Sequence, residues 1–140
     1  MTAKRKPVVL PEKASDLLEL AVRDAMAVAK MKGYKLDMGT WHSPNGVCRV
    51  CMAGAVMART LRVARGAFWS PGIVGHHWSA AMWDINNFRE GYWPDRRDDG
   101  GKAWPAMQLI QRDFLEYRDG GRAKWSTYLK AAKMLRAVGL

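Results

Sequence analysis

An all-α, single-domain bundle of about five helices, built around a buried central helix over about residues 47–65, is the fold this sequence predicts. Apolar residues recur at helical spacing in five separate stretches, and Gly and Pro clusters divide those stretches. Alternating strand patterns are almost absent, which leaves helix-on-helix packing as the way to bury the apolar faces. A chain of 140 residues suits one domain and can build a core without metal or disulfide staples.

Residues 1–10 read as a flexible basic arm carrying Lys4, Arg5 and Lys6, and residues 11–140 as the helical domain. Pro11 stands where a first helical turn tolerates proline. Leu18, Val22, Ala25 and Ala29 then share one helical face, widened by Leu17, Ala21 and Val28, and Gly33 marks the stop. Tyr34 to Gly46 reads as a loop, punctuated by Gly39, Ser43-Pro44 and Asn45-Gly46. The central helix should start near Val47 and end before Gly66. Its first half is apolar on nearly every side, the mark of a buried helix. Gly54 costs that helix about 1 kcal/mol of propensity, a cost that close approach of a neighbour offsets.

After a Gly- and Pro-rich loop holding Phe68 and Trp69, a third helix fits His77 to Glu90, with Trp78, Ala81, Met82, Ile85 and Phe88 inward. A polar connector follows over residues 92–103. The fourth helix starts around Trp104-Pro105, has Met107, Ile110, Phe114 and Tyr117 as its stripe, and stops at Gly120-Gly121. The fifth runs from about Lys124 to Val138 with Tyr128, Ala131 or Ala132, Leu135 and Val138 inward. Phe88-Arg89-Glu90-Gly91 and Tyr117-Arg118-Asp119-Gly120 repeat one order, aromatic, Arg, acid, Gly, at two predicted helix ends.

The formal net charge is +10, and it is unevenly spread. No acid lies between Met38 and Trp83, where Arg49, Arg59, Arg62 and Arg65 fall, and none follows Arg122, where Lys124, Lys130, Lys133 and Arg136 fall. Such a balance concerns partners rather than fold, and the natural partner is nucleic acid or an acidic protein surface. The candidate contacts are Lys4, Arg5, Lys6, Arg59, Arg62, Arg65, Arg122, Lys124, Lys130 and Lys133, with Trp69 and Trp93 as stacking or hot-spot anchors. The alternative is a merely basic, solvated surface. No secretory leader or membrane-spanning run is legible, and two cysteines are few for a secreted scaffold, so a cytoplasmic, reducing setting is expected.

The stretch Thr40 to Arg59 holds both cysteines and one of three histidines, and three readings stand. Cys48 and Cys51 with His42, His76 or His77 have the ligand types of a zinc site, although a lone Cys-x-x-Cys is a weak pattern. A cysteine in a first helical turn, with a later histidine as base, is one way to make a reactive thiol. The third reading is packing, since free cysteine behaves as a small buried hydrophobe. On this reading no catalytic residue and no cofactor is expected, with zinc or a thiol-dependent enzyme as the alternative. Haem attachment, nucleoside deamination and a phosphate loop all fail on neighbouring residues: Met52 follows Cys51, Val47 precedes Cys48, and Gly100-Gly101-Lys102-Ala103 lacks the Ser or Thr.

Trp41-His42…Gly46-Val47-Cys48-x-x-Cys51-Met52-Ala53-Gly54-Ala55-Val56-Met57-Ala58, with the later Ile85-Asn86-Asn87-Phe88-Arg89-Glu90-Gly91, resembles small uncharacterised proteins encoded by bacteriophages and prophages. The likeness covers about the middle third of the chain. It implies a viral accessory product in the host bacterial cytoplasm, acting by stoichiometric binding to host machinery, defence systems included.

Overall fold

The computed structural model describes residues 9–38, 42–43, 48–63, 80–118 and 124–140. Helix α1 spans Ala14–Val28, followed by strands β1 (Tyr34–Leu36), β2 (His42–Ser43) and β3 (Cys48–Val50). Helices α2 (Met52–Arg59), α3 (Ala80–Glu90), α4 (Trp104–Arg118) and α5 (Trp125–Ala137) complete the described elements. The fold is mostly helical, as the apolar spacing predicts. Each helix packs on the next, and α5 closes the ring on α1.

The core is the sum of the predicted stripes. Leu17, Leu18, Ala21, Val22, Ala25 and Val28 of α1 are fully buried, as are Ile85 and Phe88 of α3 and Ala131, Ala132 and Leu135 of α5. Met52 to Met57 are buried without a break, so α2 is the buried central helix, Gly54 included. Two inward assignments are corrected. Ala29 is the exposed C-cap of α1, and Val138 lies beyond the last turn of α5 and is exposed. No helix among the described residues is long and apolar enough to cross a membrane.

The largest departure lies around the cysteines. The helix expected over 47–65 is a strand followed by a shorter helix. β3 pairs in parallel with β1 and antiparallel with β2, giving the order β1-β3-β2. Cys48 and Val50 are buried and Arg49 is exposed, a period of two within three residues, too short to stand out from an apolar run. Part of the loop expected over 34–46 therefore forms β1 and β2. At its other end α2 stops because Arg62 turns into the left-handed region, φ 55°. There Leu61 N–H donates to Val56 O and Val63 N–H to Met57 O, which closes the helix.

The bundle has two distinguishable ends. Ser15 N–H donates to Leu140 O at 3.2 Å, and Arg136 of α5 reaches Asp16 and Glu19 of α1, so α1 and α5 run antiparallel. At the opposite end the sheet meets the C-terminal ends of α3 and α4. Met38 N–H donates to the Tyr117 hydroxyl at 3.0 Å, and Arg89 Nη1 donates to Met38 O at 2.5 Å.

Candidate functional site

Three groups of residues bear on chemistry: the cysteines, a polar junction at the sheet end, and the basic surface. Cys48 lies in β3 and Cys51 is the N-cap of α2, so they do not share a helical face. Both are fully buried and neither forms a disulfide. Burial pushes the Cys51 thiol up, only partly opposed by the backbone N–H groups of Gly54 and Ala53 at the start of α2 and by the charge of Arg89. A buried thiol held protonated is a poor nucleophile, and packing is what this geometry supports. His42 is in β2 opposite Val50, while His76 and His77 lie outside the described residues. Among the described residues no three His, Cys, Asp or Glu side chains gather as a metal site would require.

The polar junction is built around Arg89, which the sequence singles out only in a repeated helix end and in the phage-like stretch from Ile85 to Gly91. Its guanidinium stands 5.6 Å over the Phe114 ring and 3.5 Å from Glu90. Tyr128 donates to the Arg89 carbonyl at 2.9 Å, and burial pushes its phenol well above the ordinary tyrosine range. Tyr117 donates to Asp37 at 3.1 Å while accepting the Met38 N–H. One face of this junction opens to a cleft of about 170 Å³ lined by Glu90, Tyr92, Gln111, Phe114 and Leu115. That is below the roughly 300 Å³ at which small-molecule sites begin.

Asp113, beside this junction, is buried. Its Oδ2 accepts the Lys124 N–H at 3.2 Å ahead of α5, and its Oδ1 has no hydrogen-bond partner among the described residues. Burial raises its carboxyl above the ordinary value, partly offset by Lys124. A carboxyl raised on folding stabilises most below its unfolded pKa, and that contribution is lost as pH rises through the folded one. Asp113→Asn keeps a carbonyl acceptor for Lys124 and removes the buried charge. It should therefore gain stability over the native protein on going from about pH 4 to pH 7. Denaturation midpoints at the two pH values check this, and an equal difference at both would contradict it. Glu19 works in the other direction. Arg136 holds it below its ordinary range, so its contribution is present above that range and is lost on acidification.

The predicted contact residues divide by what they touch. Lys4, Arg5, Lys6, Arg65, Trp69 and Arg122 lie outside the described residues. Arg59 donates to buried Asp24 at 2.8 Å, next to Thr60, which donates to the same carboxylate. Its task is to tie the end of α2 to α1. Lys124 is exposed and pairs with Glu116 at 3.0 Å. Trp93 is half-buried, stacked on Phe88 at 5.6 Å, and donates its indole N–H to Arg97 O at 2.6 Å. Arg62, Lys130 and Lys133 are exposed.

The sequence reading missed two groups. Lys30, Lys32 and Lys35 are exposed in and around the turn into β1, and Arg49 is exposed on β3 in register with Lys35. Only Arg49 lies in the acid-free stretch between Met38 and Trp83, which points to helices rather than to a sheet face, and the three lysines precede it. The second group is Asp84, which Arg96 and Arg97 both grip. The connector over residues 92–103 reads in sequence only as polar, whereas both Arg96 and Arg97 reach back to α3. No family model, no curated protein and no solved structure matches the chain.

Proposed function

We propose that this chain acts by stoichiometric binding through a basic surface, to nucleic acid or to an acidic host protein that handles nucleic acid or mounts defence, as a bacteriophage accessory product. The observation that carries the reading is the set of exposed cations with no internal duty. Lys30, Lys32, Lys35, Arg62, Lys130 and Lys133 are exposed, and none makes an ion pair among the described residues. Arg62 adds an energetic argument. A non-glycine residue in the left-handed region costs about 1–2 kcal/mol, so an arginine is retained at the helix end where glycine would fold better. Strained backbone clusters at functional sites, and here it falls at an exposed charged residue, which supports the reading.

The test follows from the same residue. Arg62→Gly should raise stability by about 1 kcal/mol in urea denaturation. It should also weaken binding to a short DNA duplex and flatten the salt dependence by about one unit of log K per log salt. Affinity capture from host lysate, with and without nuclease, separates a nucleic-acid partner from a protein one. A chain that binds no nucleic acid at low salt and retains no acidic partner after nuclease would overturn the reading.

A further inference from the structure

Lys35 and Arg49 stand opposite each other on paired strands, and both occupy the exposed position of their strand. Neighbouring strands lie about 4.8 Å apart, so the two cations form a fixed pair rather than two independent charges. Arg49 is also in register with Ser43 of β2, which makes it the middle position of the sheet. Lys30 and Lys32 sit on the turn that delivers the chain into β1, where Lys30 N–H donates to Ala27 O and Tyr34 N–H to Met31 O. From residue 25 to residue 83 the sequence has one acid, Asp37. Its Oδ2 lies 3.9 Å from Arg49, and its Oδ1 accepts the Tyr117 hydroxyl.

Building on the basic-surface reading above, we infer that the outer face of the sheet, with Lys30, Lys32, Lys35 and Arg49, is the contact surface for the phosphate backbone of nucleic acid. Three of these four cations are lysines, a residue depleted from protein–protein interfaces and suited to phosphate as a mobile point charge. Among the described residues the large exposed aromatic side chains, the usual anchors of a protein interface, fall elsewhere, Trp83 on α3, Tyr92 after it and Trp104 on α4, while the turn itself adds only Met31, 37% exposed between Lys30 and Lys32. A fixed pair of cations on a rigid sheet, flanked by two more on a turn, sets position along a backbone and reads no base. Asp37 acts as a brake, an acid within reach of Arg49 that phosphate must overcome.

The experiment measures binding by fluorescence anisotropy to a labelled single strand, a labelled duplex and a labelled polyglutamate, each over a range of salt. Lys32→Gln, Lys35→Gln and Arg49→Gln together should weaken nucleic-acid binding at least tenfold at about 0.1 M salt. They should flatten the salt slope by about one unit per side chain removed. Asp37→Asn keeps an acceptor for Tyr117 and should tighten binding, a change that misfolding does not produce. Lys130→Gln with Lys133→Gln serves as the comparison and should cost less than the triple change. Unchanged binding by the triple variant, or an equal loss in the comparison variant, overturns the sheet face while binding through a basic surface stands. Wild-type protein that binds polyglutamate and not nucleic acid overturns the phosphate assignment. Wild-type protein that binds neither at low salt overturns the assignment and the reading beneath it.

Discussion

Gly91→Ala should destabilise the protein by about 3 kcal/mol or more, measured as the shift in urea denaturation. Gly91 terminates α3 with φ +83°, its N–H donating to Phe88 O and the next N–H, of Tyr92, donating to Asn87 O. That pair of bonds is a Schellman closure, with glycine at the left-handed position. The second constraint is space. A Cβ on Gly91 would lie 2.6 Å from Met107 O and 2.7 Å from Gln111 N, both backbone atoms of α4, and 2.5 Å from Gln111 Cγ. A side chain can rotate away, but a helix backbone cannot. The Gln111 amide, which donates to Gly91 O at 3.0 Å, would be displaced as well. Gly100→Ala is the control. Gly100 also has positive φ, +60°, but a Cβ there would meet nothing within 4 Å. Only the conformational cost of about 1 kcal/mol is expected. Similar losses at the two positions would contradict a close contact between α3 and α4.

Asp84→Ala is expected to cost about 3 kcal/mol by the same measurement. The Asp84 side chain is 2% exposed and is gripped by Arg96 through Nε and Nη2 and by Arg97 through Nε at 2.8 Å. Removing the carboxylate leaves Arg97, only 16% exposed, without its counter-charge. It also frees the turn over residues 94–97, on which the Trp93 indole depends through Arg97 O. Arg96 is about half exposed, so Arg96→Ala should cost much less, about 1 kcal/mol. Equal losses for Asp84→Ala and Arg96→Ala would show that the carboxylate does not organise the connector.

The helical part of this fold is written in apolar spacing that a single chain reveals. Leu17 to Val28, Met82 to Phe88 and Tyr128 to Leu135 each bury the face their periodicity predicts. The sheet is not written that way. Three residues of β1, two of β2 and three of β3 are too few to express alternation, and the pairing between Tyr34 and Cys48 is a long-range event with no local signature. The same reason hid the candidate binding face. Lys35 and Arg49 are fourteen positions apart in the chain and become neighbours only through the parallel pairing. The aspartates were hidden differently. Asp24, Asp84 and Asp113 look like surface charges in sequence, yet each lies at a helix junction and receives donors from a distant segment. The cysteines are buried, through a strand and a cap rather than one helical stripe.

Met38 has both of its backbone groups satisfied by side chains from different helices, its N–H by Tyr117 and its carbonyl by Arg89. The small sheet is thereby riveted to the ends of α3 and α4 at a single residue. A load applied to the sheet's outer surface passes straight into those two rods. A partner docking on that surface, as proposed above, would meet a sheet already tied to both helices and should spend less of its adhesion on ordering it.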